Sequence, residues 1–301
     1  MGKIREIVVI SGKGGTGKTS VTASFAVLEG ENCVVADCDV DAADMHLLLK
    51  PDFKNKKDFY SGKEAVIDPD ACINCGKCDD VCHFDSIFQN DVSYYVEPMK
   101  CEGCKYCVYV CPTDAIVMKD RWSGHTYIST IKTNATMVHA KLGIGSDNSG
   151  KLVAEVKGLA KQTAKMLKKE YIIVDGSPGV GCPVLSSLSG AKFVVFVTEP
   201  TVSGLHDLMR VDELVKKFKI NSGCVINKSD LNVEMSNKIK KYLEKENILL
   251  LAELPYSNYF KKSLRKYETI VEYEDGSEDK ELQNIKNKIK EAWNIIKEET
   301  K

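Results

Sequence analysis

Two groups of residues in this 301-residue chain have the types and spacing that carry chemistry. The first is Gly12-Lys13-Gly14-Gly15-Thr16-Gly17-Lys18-Thr19, followed by Ser20, which fits the pattern G-x-x-x-x-G-K-[ST]. Glycines in such a loop let backbone N–H groups approach phosphate oxygens, and the start of the next helix adds positive potential. Lys18 is then the residue to reach the β- and γ-phosphates of a nucleotide, and Thr19 the one to ligate Mg²⁺. The second group is Cys72, Cys75, Cys78 and Cys82, which recurs as Cys101, Cys104, Cys107 and Cys111, each displaced by 29 residues. The same displacement maps Pro69 onto Pro98, Asp85 onto Asp114 and Ile87 onto Ile116, the mark of an internal duplication.

The repeated run, C-x2-C-x2-C-x3-C with Cys111-Pro112 closing the second copy, resembles that of bacterial two-cluster ferredoxins. In that arrangement the fourth cysteine of each run ligates the other cluster. The resemblance assigns Cys72, Cys75, Cys78 and Cys111 to one [4Fe–4S] cluster, and Cys101, Cys104, Cys107 and Cys82 to a second. Paired C-x2-C also builds zinc sites, but three cysteines at this spacing fit a tetrahedral zinc knuckle poorly. The first copy has His83 where the second has Pro112, a departure that points to tuning of a cluster's surroundings. Two adjacent low-potential clusters suit one-electron transfer.

These residues need elements to hold them. Short apolar runs at 7–10, 33–36, 171–174, 193–197, 224–226 and 248–251 read as strands. A helical stretch from the glycine loop to Glu29, stopped by Gly30, and periodic segments around Leu152–Leu167 and Leu205–Phe218 read as helices. The alternation predicts an α/β fold, a doubly wound, mostly parallel sheet covered on both faces. It breaks after Leu49, and the cysteine repeats occupy the gap. Residues 58–120 are therefore expected to form an inserted small α+β domain, dividing a host domain into parts 1–57 and 121–301. Segments Ala65–Asp68 and Ala115–Met118 flank the cysteines; paired as strands, they bring the insert's ends together.

The form K-G-G-T-G-K-T at 13–19 resembles the deviant Walker A loop of the MinD/ParA/nitrogenase-iron-protein class. That resemblance implies that Lys13 crosses a dimer interface to the partner's nucleotide. In Asp37-Cys38-Asp39-Val40-Asp41 it places the acidic switch that orients the attacking water, with Asp39 the best match and Asp37 the runner-up. Tyr171–Val174 resembles a Walker B strand ending in Asp175, which would hold Mg²⁺ through water. Asn227-Lys228-Ser229-Asp230 resembles N-K-x-D, in which Asn227 implies contact with adenine. Segments 138–143, Asn148 to Val153, 175–183 and 198–204 are also similar to the class.

As a whole, roughly residues 3–270 look like a MinD-type P-loop ATPase with an inserted bacterial ferredoxin domain. The resemblance implies Mg²⁺-dependent ATP hydrolysis with Lys13, Lys18, Asp39 and Asp175 as the catalytic set. It implies an ATP-dependent homodimer, or a heterodimer with a related ATPase, and a metal-cluster or redox client. The expected function couples nucleotide state to electron transfer through two [4Fe–4S] clusters, in the service of cluster or cofactor assembly. Two other functions fit the motifs: an ATP-controlled cluster carrier or scaffold, and a positioning ATPase with a ferredoxin sensor.

Composition narrows the partners. Lys and Arg total 42 against 43 Asp and Glu, a balance that gives no electrostatic case for nucleic acid or an anionic membrane. Apolar runs are strand-sized, the N-terminal one too short for a signal-peptide core, so a cytoplasmic protein is expected. A reducing compartment also suits metal-bound rather than disulfide-bonded cysteines. Of the four scattered cysteines, Cys33, Cys38 and Cys224 read as packing residues. Cys182 follows Asp175 by seven residues, the spacing of a cluster ligand in the nitrogenase iron protein. With no cysteine between Cys111 and Cys182 to complete such a set, it reads as a small buried residue before Pro183, the alternative being a transient metal or cluster site held by two Cys182 of a dimer and an external ligand. The last helix, with Leu282, Ile285, Ile289, Trp293 and Ile296 on one face behind an acidic lead-in from Glu272 through Glu278 to Glu281, is expected to pack rather than bind lipid.

Overall fold

The structure is a computed structural model that describes residues 4–40, 43–143, 149–276 and 279–301. Asp41, Asn148 and Glu278, each within a segment singled out above, lie outside the described residues. In chain order the elements begin with β1 (Arg5–Ile10), α1 (Lys18–Glu29), β2 (Cys33–Asp37), α2 (Met45–Leu49) and β3 (Lys56–Ile67). Then come α3 (Lys77–Asp80), β4 (Ile87–Gln89), β5 (Tyr94–Val96), α4 (Tyr106–Val110), β6 (Ile116–Thr130) and β7 (Thr136–Leu142). The remainder comprises α5 (Ser149–Met166), β8 (Tyr171–Asp175), α6 (Cys182–Leu188), β9 (Phe193–Thr198), α7 (Val202–Lys217), β10 (Asn221–Ile226), α8 (Val233–Lys245), β11 (Leu249–Glu253), α9 (Asn258–Arg265) and α10 (Lys280–Glu299).

The chain divides into two compact units. The first holds the described residues of 1–57, 126–141 and 149–301; the second holds those of 58–125 and 142–148. The large sheet has the order β11-β10-β9-β1-β8-β2-β7-β6-β3, and β3 and β6 have residues in both units. Every pairing from β11 to β7 is parallel. The central strands β1, β2, β8 and β9 are buried almost throughout, as the unbroken apolar runs require of a sheet covered on both faces. Register matters more than the runs themselves. Val9 of β1 and Asp37 of β2 both lie opposite Asp175 of β8, so three strands end level at one rim. Open parallel sheets place their ligands at that carboxyl rim.

Helix α1 stops at Gly30, whose φ of 61° closes the last turn. Helix α10 turns Leu282, Ile285, Ile289, Trp293 and Ile296 into the core of the first unit, each at most 2% exposed. Trp293 stacks on Phe25 with ring centroids 5.2 Å apart and donates its Nε1–H to Glu29 at 2.9 Å. The apolar face that lipid would need is therefore spent on α1. Among the described residues no helix is long and apolar enough to cross a membrane.

The sequence does not announce β7, because His139 and Lys141 interrupt its apolar run; His139 is buried and bonded to Ser129 at 2.9 Å. It also underestimates β3 and β6, which extend well past Ala65–Asp68 and Ala115–Met118 with polar residues on one face. Those two short segments do meet: Asp68 N–H donates to the Ala115 carbonyl at 2.8 Å.

Replacing Trp293 by Ala removes a fully buried ring and orphans the Glu29 contact. Urea unfolding of Trp293→Ala should show a loss of about 3–5 kcal/mol. A loss under about 1 kcal/mol would mean that α10 is not part of the core.

Candidate nucleotide site and cysteine cradles

The glycine loop joins β1 to α1 at the level rim. Gly15 and Gly17 take φ of 79° and 92°, and a Cβ on Gly17 would sit 2.4 Å from Asn227 Nδ2. Glycine is therefore required at Gly17 twice over, by conformation and by space. Asn227, 7% exposed at the end of β10, donates from Nδ2 to the Thr16 carbonyl at 2.8 Å and accepts the Lys228 N–H at 2.9 Å. The amide that the resemblance assigns to adenine here braces the loop.

Lys18 is 5% exposed at the first position of α1. Its Nζ lies 2.9 Å from Asp175 Oδ1 and 3.2 Å from Asp39 Oδ2. Burial pulls the ammonium pKa down, but Asp175 and then Asp39 outweigh it and hold Lys18 above the usual lysine range. Asp175, 1% exposed, also accepts the Thr19 hydroxyl at 2.8 Å and the Thr22 hydroxyl at 2.8 Å. Thr22 escaped the motif reading, though its place one helical turn after Lys18 puts it on the same face of α1. Asp37 and Asp39 separate in role. Asp37 is sealed at 2% exposure, accepts the Asp39 N–H at 3.2 Å, and is pushed well above the carboxylate range by burial and then by Asp175. The Asp39 carboxylate instead faces the open cleft beside Lys18.

That cleft encloses about 1190 Å³ including its mouth and is lined by the glycine loop with Lys18, Thr19 and Ser20, and by Asp39, Leu48 and Tyr267. Lys13 does not reach outward. Its Nζ pairs with Glu199 at 2.6 Å and donates to Ser203 at 3.1 Å, and Lys228 grips the other Glu199 oxygen at 3.0 Å. Glu199 carries no motif of its own; only its position after β9 marks it. Although burial opposes it, hydrogen bonds from Lys13 and Lys228 hold its carboxyl below the usual range.

Cys182 departs from expectation: it is exposed at the start of α6. Cys33, Cys38 and Cys224 are buried as expected, and burial raises each thiol pKa, that of Cys33 to about 12.

In the second unit the duplication is visible in the backbone. Left-handed residues Asn74, Gly76 and Asp85 recur as Gly103, Lys105 and Asp114, at the 29-residue displacement. The bond from Asp68 N–H to Ala115 recurs from Glu97 N–H to Ser86 at 2.7 Å. Two recesses lie within the unit. One, about 320 Å³, is lined by Cys72, Cys75, Cys78 and Cys111. The other, about 350 Å³, is lined by Cys82, Cys101, Cys104 and Cys107. Hydrogen bonds overcome burial to lower the Cys82 thiol, from Ser86 and the Phe84 backbone, and the Cys111 thiol, from Thr113 and the Ala115 backbone. Cys107 is pushed up to about 11 by burial, then by Cys101 and Cys104 beside it. Among the described residues no three His, Cys, Asp or Glu side chains converge as ligands of a single ion.

A glycine loop opening a helix, facing an acidic strand end on a parallel sheet, defines a P-loop nucleotide-binding protein. The chain belongs to the CobQ/CobB/MinD/ParA nucleotide binding domain family, whose profile matches residues 7–270, and it has the fold of a MinD/ParA-family P-loop ATPase. Uncharacterized protein MJ0578 of Methanocaldococcus jannaschii is 38% identical over 235 residues, 77% of this chain and 81% of that protein. The septum site-determining protein MinD of Pyrococcus horikoshii, complexed with Mg-ADP, superposes with a TM-score of 0.59 at 19% identity, covering 98% of this chain and 96% of that one. A variant of Cyanothece McdA complexed with ATP gives 0.57 at 12% identity, over 98% and 96%.

Gly17→Ala should weaken nucleotide binding at least about ten-fold, because the loop must move off Asn227 to admit a methyl group and leave its left-handed φ. Titration with a fluorescent ATP analogue reads this; unchanged affinity would show that the Asn227 brace does not shape the loop.

Proposed function

We propose that the protein binds and hydrolyses ATP with Mg²⁺, and couples nucleotide state to one-electron transfer through two [4Fe–4S] clusters. The observation that carries the iron–sulfur part is the sorting of eight cysteines into two recesses, each lined by three thiols of one run and the fourth of the other. The residues fit the groups. Four cysteine thiols line each recess, and four thiolates are the ligand set of one cubane. Cys82 and Cys111 receive matching hydrogen bonds that favour thiolate before any iron arrives. When bound, the clusters supply a one-electron relay between donor and acceptor.

In the first unit Thr19 and Asp175 would hold Mg²⁺, Lys18 would leave the carboxylates for phosphate oxygens, and Asp39 would orient water. The Mg-ADP complex of MinD and the ATP complex of McdA support this assignment by fold. We further propose dimerisation with a second copy or a related ATPase. Lys13 is partly exposed beside exposed Gly14 and Gly15, and it would exchange Glu199 for the partner's nucleotide. The client is a redox or metal-cluster protein.

Anaerobic reconstitution should load about eight irons and eight sulfides per chain. Cys111→Ser should perturb the cluster of Cys72, Cys75 and Cys78 and leave the other spectroscopically intact. Stoichiometric zinc without acid-labile sulfide would refute the module. Hydrolysis of ATP should vanish in Lys18→Ala, since no water replaces its charged phosphate contact; equal rates would refute the ATPase.

A further inference from the structure

The near-balance of charge over the whole chain conceals a separation. Residues 58–125, the main part of the second unit, hold twelve Asp and Glu against six Lys and Arg, so the rest of the chain carries a basic excess. Much of that excess gathers along α5 and just past its end. Between 151 and 169, six lysines stand against one acid, Glu155. A groove of about 1710 Å³, open solvent included, brings cations together there: Arg5, Lys161, Lys165, Lys168 and Lys169 line it, with Glu6 and Glu170 as its acids. It lies where Arg5 opens β1 and Ile172 enters β8, at the far end of the strands that lead to the glycine loop and Asp175. Six residues of strand put about 20 Å between the two sites.

The acids of the groove are already matched. Glu6, 2% exposed, pairs with Lys157 and lies 3.3 Å from Lys161. Gly190 leaves the room that Lys161 uses, since a Cβ there would come within 2.4 Å of its Nζ. Glu170 lies 3.6 Å from Arg5. Among the described residues Lys165, Lys168 and Lys169 make no ion pair, and the first two are exposed. Lys168 has φ of 54°, the left-handed position past the end of a helix where glycine is the usual residue. The carboxyl end of α5 favours a cation or two. Three unpaired lysines beside two further cations exceed that, and an acidic surface would relieve their repulsion.

The chain itself supplies such a surface. Asp68 and Asp70 precede Cys72, and Asp79 and Asp80 follow Cys78; all four are exposed, and none makes an ion pair among the described residues. We propose that the lysine groove of one copy docks the acidic face of the second unit of another copy, around the recess of Cys72, Cys75, Cys78 and Cys111. The two surfaces are unlike, so the contact is head-to-tail. Neither includes the glycine loop, so the association needs no nucleotide and is separate from dimerisation through Lys13. Built on exposed charge, it weakens steeply with salt.

The test is sedimentation velocity of the full chain, purified anaerobically and free of nucleotide, at up to about 100 μM in about 50 mM or about 500 mM salt. Wild type should associate at low salt and be monomeric at high salt. Lys165→Glu/Lys168→Glu/Lys169→Glu and, separately, Asp79→Lys/Asp80→Lys should each weaken association at least about ten-fold, and an equimolar mixture of the two should recover it. Lys217→Glu/Lys219→Glu/Lys241→Glu reverses three exposed lysines outside the groove and should associate as wild type does. Far-UV circular dichroism checks that each variant folds, and the salt series on wild type needs no variant. Wild type monomeric at low salt overturns the proposal. Equal loss in the Lys217, Lys219 and Lys241 variant overturns it too, since that reports net charge alone, as does a mixture of folded variants that stays monomeric. A labelled DNA oligomer held by monomeric wild type and released by the groove variant would assign the lysines to nucleic acid and overturn docking between copies.

Discussion

The buried contact between Lys18 and Asp175 organises the first unit. It joins the start of α1 to the end of β8, and it holds only because β1, β2 and β8 end level. Two threonines of α1 complete the Asp175 carboxylate's hydrogen bonds, as a buried charge demands. The rim also holds Asp37 and Asp39, so one ammonium faces three carboxylates. Burial, and then Asp175, pushes Asp37 well above the carboxylate range. On the proposed reading, Mg²⁺ would add positive charge at this rim and let Lys18 turn to phosphate.

The second unit solves a different problem. Burial and the crowding of thiols both oppose ionisation, and Cys107 is raised first by burial and then by Cys101 and Cys104. The duplication answers it by repeating one hydrogen-bonded turn, so that Cys82 and Cys111 are each stabilised by the residues two and four positions later. Because each run lends its last cysteine to the other recess, neither recess is complete without both copies.

Sequence reasoning reached furthest where chemistry is local. The P-loop, its helix and the six strand cores follow from glycine spacing and apolar runs, and α10 from its apolar stripe. It failed where a residue's role depends on what arrives from elsewhere in the chain. Glu199 meets Lys13 from a distant part of the chain and takes Lys228 on its other oxygen, and no local pattern announces those pairings. The motif reads Asn227 as a base contact and does not announce the bond by which its amide also braces Thr16. Cys182 reads from the sequence as buried because no second cysteine completes a ligand set, yet the start of α6 lies at the surface. Strand β7 is hidden because His139 and Lys141 interrupt its apolar residues.

The central claim is that nucleotide state and cluster electronics are coupled within one chain. Its most direct measurement is an EPR-monitored redox titration of the reconstituted protein, without nucleotide, with Mg-ADP, and with a non-hydrolysable ATP analogue. Wild type should show midpoint potentials that differ between nucleotide states, and Lys18→Ala should show one set throughout. Identical potentials in every state of the wild-type protein, with nucleotide binding verified in the same samples, would contradict the account.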